Sequence, residues 1–243
     1  MHPEICKVGP LVIYSYGLML AVAFLVAVAL ASQEAKRQGV NPDIIFNLCF
    51  VVFISGIIGA RIFYVLENLG YYLRSPMEII MLAHGGLSWF GGLILGVISG
   101  VIYLRHKKAN LYRIADLIIP FVALAQALGR IGCFLNGCCF GKESAHGIYF
   151  PVHQAVLIPT QIYSSFALLL IFVILRFLQA HPHREGQIFY MYLLLYSIKR
   201  FLIEFWRADN KVIIFDLTLF QLISAVVFVF SVFKLVSILK NKS

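Results

Sequence analysis

The sequence predicts an all-α, polytopic membrane protein with about seven transmembrane helices, and two observations carry that prediction. Hydrophobic residues make up 61% of the chain and the mean hydropathy is +0.89, while only 13% of residues are charged. A soluble domain carries about 25% charged residues. Apolar stretches approaching the roughly 20 residues that span a bilayer recur from one end of the 243-residue chain to the other. A single integral membrane domain over residues 1–243 follows, with no internal repeat.

Taken in order, the candidate spans are residues 11–31, 44–66, 85–104, 114–134, 161–178, 187–205 and 215–239. The first resembles a signal peptide at Ala29-Leu30-Ala31, but its apolar run exceeds the usual ~7–15 residues of a signal core, so it is expected to stay attached. The second carries Gly56 and Gly59 ahead of Arg61. In the third, Gly92, Gly96 and Gly100 share one helix face and allow a neighbouring helix close approach. Gly85-Gly86 and Gly91-Gly92 flank its start, and doubled glycines there would loosen the helix and free backbone N–H groups for a polar ligand. The fourth ends in Gly129-Arg130-Ile131-Gly132, with Asn136-Gly137 just beyond. Residues 135–159 form the longest non-spanning stretch, read from its glycines and prolines as a turn-rich loop region on the outer face. Loops of this length in compact proteins are usually functional.

Lysine and arginine placement sets the orientation. With the N-terminus outside and the C-terminus cytoplasmic, Lys36, Arg37, Arg105, Lys107, Lys108, Arg113, Arg184, Lys240 and Lys242 fall inside. A cluster from Lys199 to Lys211 then falls outside and breaks the rule, which assigns Arg200 and Arg207 to chemistry. The net charge of +9 is membrane-surface charge plus this site, and the absence of a basic stripe argues against a nucleic-acid partner.

A charged side chain at membrane depth costs at least ~2.5–3.5 kcal/mol, so each needs a partner or a task. The informative ones are Arg61, Asp116, Arg130, Arg200, Glu204 and Arg207. Tyr196, Arg200, Glu204 and Arg207 are spaced four, four and three apart, on one helical face. Glu204 reaches both arginines there, and the face keeps net positive charge. An arginine fork donates two parallel hydrogen bonds to phosphate and stays charged. Arg130, with glycine on both sides, is expected to meet a ligand across irregular backbone. These residues point to a site for an anionic phospholipid. Arg61 is expected to be structural, pairing with Glu67 or another helix, and Asp116 to partner an arginine. His84, His146 and His153 are the candidate bases. Cys133, Cys138 and Cys139 cluster near the outer end of the fourth span, with a spacing that matches neither a zinc pattern nor a C-x-x-C pair. Buried thiols or a disulfide involving Cys133 are both compatible with it.

The run Gly-Arg-Ile-Gly-Cys-Phe-Leu-Asn-Gly-Cys-Cys-Phe-Gly, Gly129 to Gly141, resembles the signature of bacterial phosphatidylglycerol–prolipoprotein diacylglyceryl transferases. Ser15-Tyr16-Gly17-Leu18-Met19, Gly59-Ala60-Arg61, Gly85-Gly86 with Gly91-Gly92, Pro159-Thr160-Gln161-Ile162-Tyr163 and the segment from Arg200 to Arg207 agree in the family's order. The resemblance implies an enzyme of the bacterial cytoplasmic membrane. Such an enzyme moves a diacylglyceryl group from phosphatidylglycerol to the lipobox cysteine of a preprolipoprotein, recognised through its signal peptide, and releases glycerol phosphate. No metal or organic cofactor is implied. By motif position, Arg130, Arg200, Tyr16, Asn136 and Glu204 would be catalytic. Arg130, Arg200, Arg207, Arg61, Gly85, Gly86, Gly91 and Gly141 would bind the lipid, with His84 as candidate base.

The chain departs from the family pattern at four positions. Phe90 and Ile158 stand where histidines are common, Cys133 where asparagine is usual and Cys138 where glutamate is usual. The departures keep open a divergent member that lipidates another thiol or is inactive. An anionic-lipid transporter and a thiol-redox protein are the rival readings.

Overall fold

Inside a bilayer every backbone N–H and C=O must find a partner within the protein, and a helix provides this segment by segment. The computed structural model describes every residue except 1–3, 9–10, 82–84, 209, 211, 215 and 241–243. His84, Lys211 and Lys242 therefore lie outside the described residues. Long helices follow all seven apolar stretches: α1 (Ser15–Arg37), α2 (Pro42–Glu67), then after the short α3 (Leu69–Tyr72), α4 (Trp89–His106), α5 (Leu111–Asn136), α6 (Thr160–Gln179), α7 (Gln187–Glu204) and α8 (Leu219–Lys240). All but α7 are long and apolar enough to cross a membrane, by length and composition. Helix α7 spans 18 residues and carries Lys199, Arg200 and Glu204 near its end. The architecture is an all-α polytopic membrane protein.

Three two-stranded antiparallel hairpins punctuate the helices: β1 (Glu4–Val8) with β2 (Leu11–Tyr14), β3 (Glu143–Phe150) with β4 (Ala155–Leu157), and β5 (Val212–Ile214) with β6 (Leu217–Thr218). The second hairpin occupies the stretch read as turns. Its register shifts between Glu143 and Ile148, and a Cβ on Gly147 would strike the Leu157 carbonyl oxygen at 2.5 Å, so the bulge needs glycine there.

The chain divides into two compact units, residues 32–114 and residues 1–31 with 115–243. In the first, α2 lies directly against α4. A Cβ on Gly59 would overlap the Gly91 carbonyl, and one on Gly91 would overlap that of Gly59. A Cβ on Gly92 would sit 3.1 Å from the Gly56 oxygen, and one on Gly100 would sit 3.0 Å from Val52. The helix expected to approach the Gly92, Gly96 and Gly100 face is thus α2, and Ser55 and Ser99 hydrogen-bond across the seam. Asn41 caps α2 by accepting from the Asp43 N–H at 2.9 Å, with Pro42 in the first turn.

In the second unit, Ile119, Ala123 and Ala127 of α5 pack with Leu168, Ile171 and Leu175 of α6 and with Ile188 and Tyr192 of α7. Asp116 does not partner an arginine. Its carboxylate accepts from the backbone N–H of Gly186 at 2.6 Å and of Phe189 at 2.7 Å, capping the start of α7 from α5. A carboxylate there satisfies orphan donors and complements the positive end of the helix dipole.

Candidate active site

Arginine 61, buried at 6% exposure, is fully committed within its own unit. Its Nε donates to the Ile79 carbonyl at 2.8 Å, and Nη1 donates to Gly85 at 2.6 Å and Gly86 at 2.9 Å. Nη2 donates to Glu78 and, at 3.2 Å, to Met81, while the guanidinium lies 5.3 Å from the Tyr72 ring centre. All five donors of the fork are used. Glu67 is not its partner, since it accepts from the Ser88 hydroxyl at 3.1 Å. Gly85 and Gly86 take φ values of +79° and +84°, and a Cβ on Gly86 would overlap the Tyr64 ring and approach Arg61. The doubled glycines therefore present carbonyls to Arg61, where free N–H groups for a ligand were expected.

The other predicted residues assemble in the second unit, around the end of α7. Glu204, whose side chain has no exposure, faces Arg200 Nη2 at 3.1 Å and Arg207 Nε at 3.9 Å through Oε2. Its Oε1 accepts from Asn210 Nδ2 at 2.6 Å and Thr218 Oγ1 at 2.9 Å. The expected reach of Glu204 to both arginines is met, although Arg207 lies past the helix end. Oε1 is thus held by hydrogen bonds while the buried Oε2 meets the two arginines through charge alone, without a hydrogen bond among the described residues. Arg200 also stacks 4.4 Å from the Phe220 ring centre.

Arg130 behaves differently. It lies within electrostatic reach of Arg200 and Lys199, yet among the described residues it makes no hydrogen bond or ion pair. The backbone around it is regular α-helix through Asn136, so the irregularity expected at Gly129 and Gly132 is absent. The two glycines serve different ends. A Cβ on Gly132 would lie 2.9 Å from Met19 Cβ, so this glycine admits α1 and places Tyr16 near Arg130 and the cysteines. A Cβ on Gly129 would meet nothing within 4 Å, leaving open space beside the arginine.

The segment after α5 is clamped from below by the start of α6. Thr160 Oγ1 donates to the Cys139 carbonyl at 2.8 Å and Gln161 Nε2 to that of Cys138 at 2.7 Å. Gly141 donates its N–H to Ile158 at 2.9 Å and forms a bridge with Arg207, and Lys142 donates to Trp206 at 2.8 Å. A Cβ on Gly141 would crowd the Trp206 oxygen at 2.6 Å and both Ile158 and Thr160 at 2.8 Å. Gly141 thus fastens the loop to the end of α7. Asn136 reaches the Cys138 thiol. The His153 ring is spent on the Gly137 carbonyl at 2.8 Å and on Phe140 at 4.1 Å between ring centres, while His146 is exposed.

The cysteines converge beyond what their spacing implied. All three are free thiols, and the sulfurs of Cys133, Cys138 and Cys139 lie within 4.8 Å of one another. Hydrogen bonds from Cys133 and Cys138, and then the charges of Arg130 and Arg207, hold the Cys139 thiol well below the usual thiol range. These sulfurs are the group of side chains suited to a metal ion among the described residues.

Lys199 carries no motif of its own in the sequence beyond its place in the 199–211 charge cluster. It is 7% exposed, its ammonium lies 4.6 Å from the Tyr196 ring centre, and it shares the site with three arginines. Its place beside Arg200, inside the charge cluster that broke the orientation rule, was the available signal. Three arginines and the Lys199 amine thus share the site with the Glu204 carboxylate among the described residues, a geometry suited to holding a phosphate and stabilising charge that develops on it.

Comparison with known proteins agrees with this geometry. A family model described as prolipoprotein diacylglyceryl transferase matches residues 3–237. A phosphatidylglycerol–prolipoprotein diacylglyceryl transferase of Clostridium tetani is 36% identical over 241 residues, 96% of each chain. A protein of the same name from Staphylococcus carnosus is 35% identical, covering 92% of this chain and 86% of its own. One from Streptococcus pyogenes serotype M3 is 36% identical, covering 86% of this chain and 85% of its own. On the extent of that match and the ordered motifs around Arg130 and Glu204, the chain belongs to the prolipoprotein diacylglyceryl transferase family.

Proposed function

We propose that this protein transfers the diacylglyceryl group of phosphatidylglycerol to the lipobox cysteine of a preprolipoprotein, in the bacterial cytoplasmic membrane with its N-terminus outside. The observation that carries this reading is Arg130, a membrane-depth guanidinium without a protein partner among the described residues, beside Arg200 and open space at Gly129. The names of its relatives supply the substrates.

In this mechanism Arg130 and Arg200 grip the phosphodiester. The acceptor sulfur attacks the glyceryl carbon, the carbon–oxygen bond to phosphate breaks, and glycerol phosphate leaves with the added negative charge. The thiol proton goes to water. Arg207 deepens the positive field, and Glu204 keeps Arg200 and Arg207 in register. Such preorganised donors are worth several kcal/mol to a step that builds charge. Tyr16 and Asn136 border the reacting sulfur, and Gly141 holds the loop that frames it. Arg61, Gly85, Gly86 and Gly91 support lipid binding by shaping their own unit. The field promotes thiolate formation more than a single base does, so a variant lacking His84, His146 and His153 keeps most of its activity.

The test uses purified protein, phosphatidylglycerol and a lipobox peptide. The peptide should gain one diacylglyceryl mass with release of glycerol phosphate, and both products should vanish with Arg130→Ala or a Cys-to-Ser peptide. Lipid binding with neither product would overturn the transferase reading.

A further inference from the structure

Beyond the arginine field, three thiols meet at one point. Consecutive side chains on extended backbone point to opposite sides. Here Cys139 takes a φ of +61°, an unusual conformation for a non-glycine residue, two residues after Gly137 at +77°. Thr160 and Gln161 hold the carbonyls of Cys139 and Cys138 in that turn. The result places two consecutive sulfurs on the same side, facing the sulfur of Cys133 from the end of α5, all within 4.8 Å. Zinc–sulfur bonds of about 2.3 Å in tetrahedral geometry require sulfurs about 3.8 Å apart, so a contraction of about an ångström or less closes the site.

We propose that Cys133, Cys138 and Cys139 form a three-thiolate Zn2+ site whose fourth position takes the thiol of the acceptor cysteine. Three protein ligands and one open position are the arrangement of catalytic rather than structural zinc. Thiolates select thiophilic ions, and a coordinated thiol is deprotonated outright. Three cysteine thiolates on Zn2+ carry one net negative charge, and a fourth thiolate adds another. Arg130 and Arg207, beside Cys139, offset that charge. The balance is explicit: each cysteine releases one proton to water when zinc binds, and the acceptor thiol releases one more. The zinc-held sulfur then gives its electron pair to the glyceryl carbon as the carbon–oxygen bond to phosphate breaks, glycerol phosphate leaves with that bond's electron pair, and the thioether formed leaves the metal as a weak ligand. Cysteine thus stands at two positions where family members usually carry asparagine and glutamate, and zinc adds to the arginine field in activating the nucleophile.

The zinc site itself stands apart from the proposed transfer reaction, whereas the role of the fourth position rests on it, so metal binding is read before activity. The full chain, purified in detergent under reducing conditions, is stripped and reloaded with Zn2+ or Co2+. Metal per chain is measured by mass spectrometry, and sulfur-to-cobalt charge transfer by absorption. About one ion per chain is expected, with sulfur-to-cobalt bands. Binding should fall at least tenfold in Cys133→Ser, Cys138→Ser and Cys139→Ser and stay unchanged in Cys49→Ser. Because a serine variant can misfold, Zn2+ protection of the wild-type thiols from maleimide is measured alongside. Adding a lipobox peptide should shift the cobalt bands, and its Cys-to-Ser version should not. No bound metal with all three thiols reduced, a disulfide among them, selective loading with copper alone, or equal metal content in the serine variants would each overturn the site. A loaded site whose bands ignore the peptide would overturn the fourth-ligand role. Normal metal binding without lipid transfer would count against the transferase reading alone.

Discussion

Arg61 and Arg130 look alike in sequence, each an arginine in a long apolar helix within two residues of a preceding glycine, yet the structure uses them in opposite ways. Arg61 spends all five donors on backbone carbonyls of the segment from Glu78 to Gly86. Arg130 spends none on the described residues and faces other cations. A saturated guanidinium stabilises its own fold, whereas an unsaturated one in a positive cluster stores affinity for an anion. Partner count is what separates the two most sharply.

That contrast can be broken most directly at Arg61. Arg61→Ala leaves five carbonyls without their donor, at roughly 1–3 kcal/mol for each one that stays buried. The protein should lose thermal stability and detergent-extractable yield before any lipid defect can be read. Arg61→Lys should rescue only in part, since an ammonium has three donors. Normal thermal stability with lost phosphatidylglycerol binding would erase the distinction. Arg130→Ala should show the converse, with unchanged melting and a fall in turnover of about 10²–10³-fold, the scale for removing one charge-stabilising donor. Its measurement is glycerol phosphate release beside a thermal melt.

Smaller effects sharpen the comparison. Gly141→Val should lower turnover by about tenfold or more, because the loop can no longer dock on Trp206, and lipid binding by Arg130 should survive in a vesicle pull-down. Asp116→Asn should cost about 1 kcal/mol through the weakened cap of α7, visible in a melt with activity retained. Gly129→Ala should be nearly neutral for stability, since nothing lies within 4 Å, and should raise the KM for phosphatidylglycerol modestly if that space receives the headgroup.

Much of this was legible in the sequence. Apolar length marked the long helices, because the bilayer imposes composition directly on each segment, but of the seven expected spans six are long and apolar enough to cross and α7 falls short. The four-residue spacing of Gly92, Gly96 and Gly100 announced a helix seam, and the spacing of Arg200, Glu204 and Arg207 announced their ion pairs. What stayed hidden depends on contacts between distant segments. Nothing local tells that Asp116 caps a helix 70 residues away or that Arg61 is consumed by a loop. The thiol cluster was equally opaque, since the spacing of Cys133, Cys138 and Cys139 fits no metal pattern until Thr160 and Gln161 hold the turn that gathers them.

The Asp116 cap also has a mechanical meaning. It joins α5 to α7 near one end, while Arg130 and Arg200 sit about 21 Å and 17 Å farther along, at 1.5 Å rise per residue. Pro120, one turn above the joint, interrupts the hydrogen-bond ladder of α5 just where bending has most leverage. The two helices are therefore pinned at the carboxylate and tied again partway toward the arginines, where the Tyr192 hydroxyl donates to Gln126 Oε1 at 2.9 Å. With the packed apolar cluster between the helices, these ties hold the span from Arg130 to Arg200, so a phosphate meets a gap that is already set.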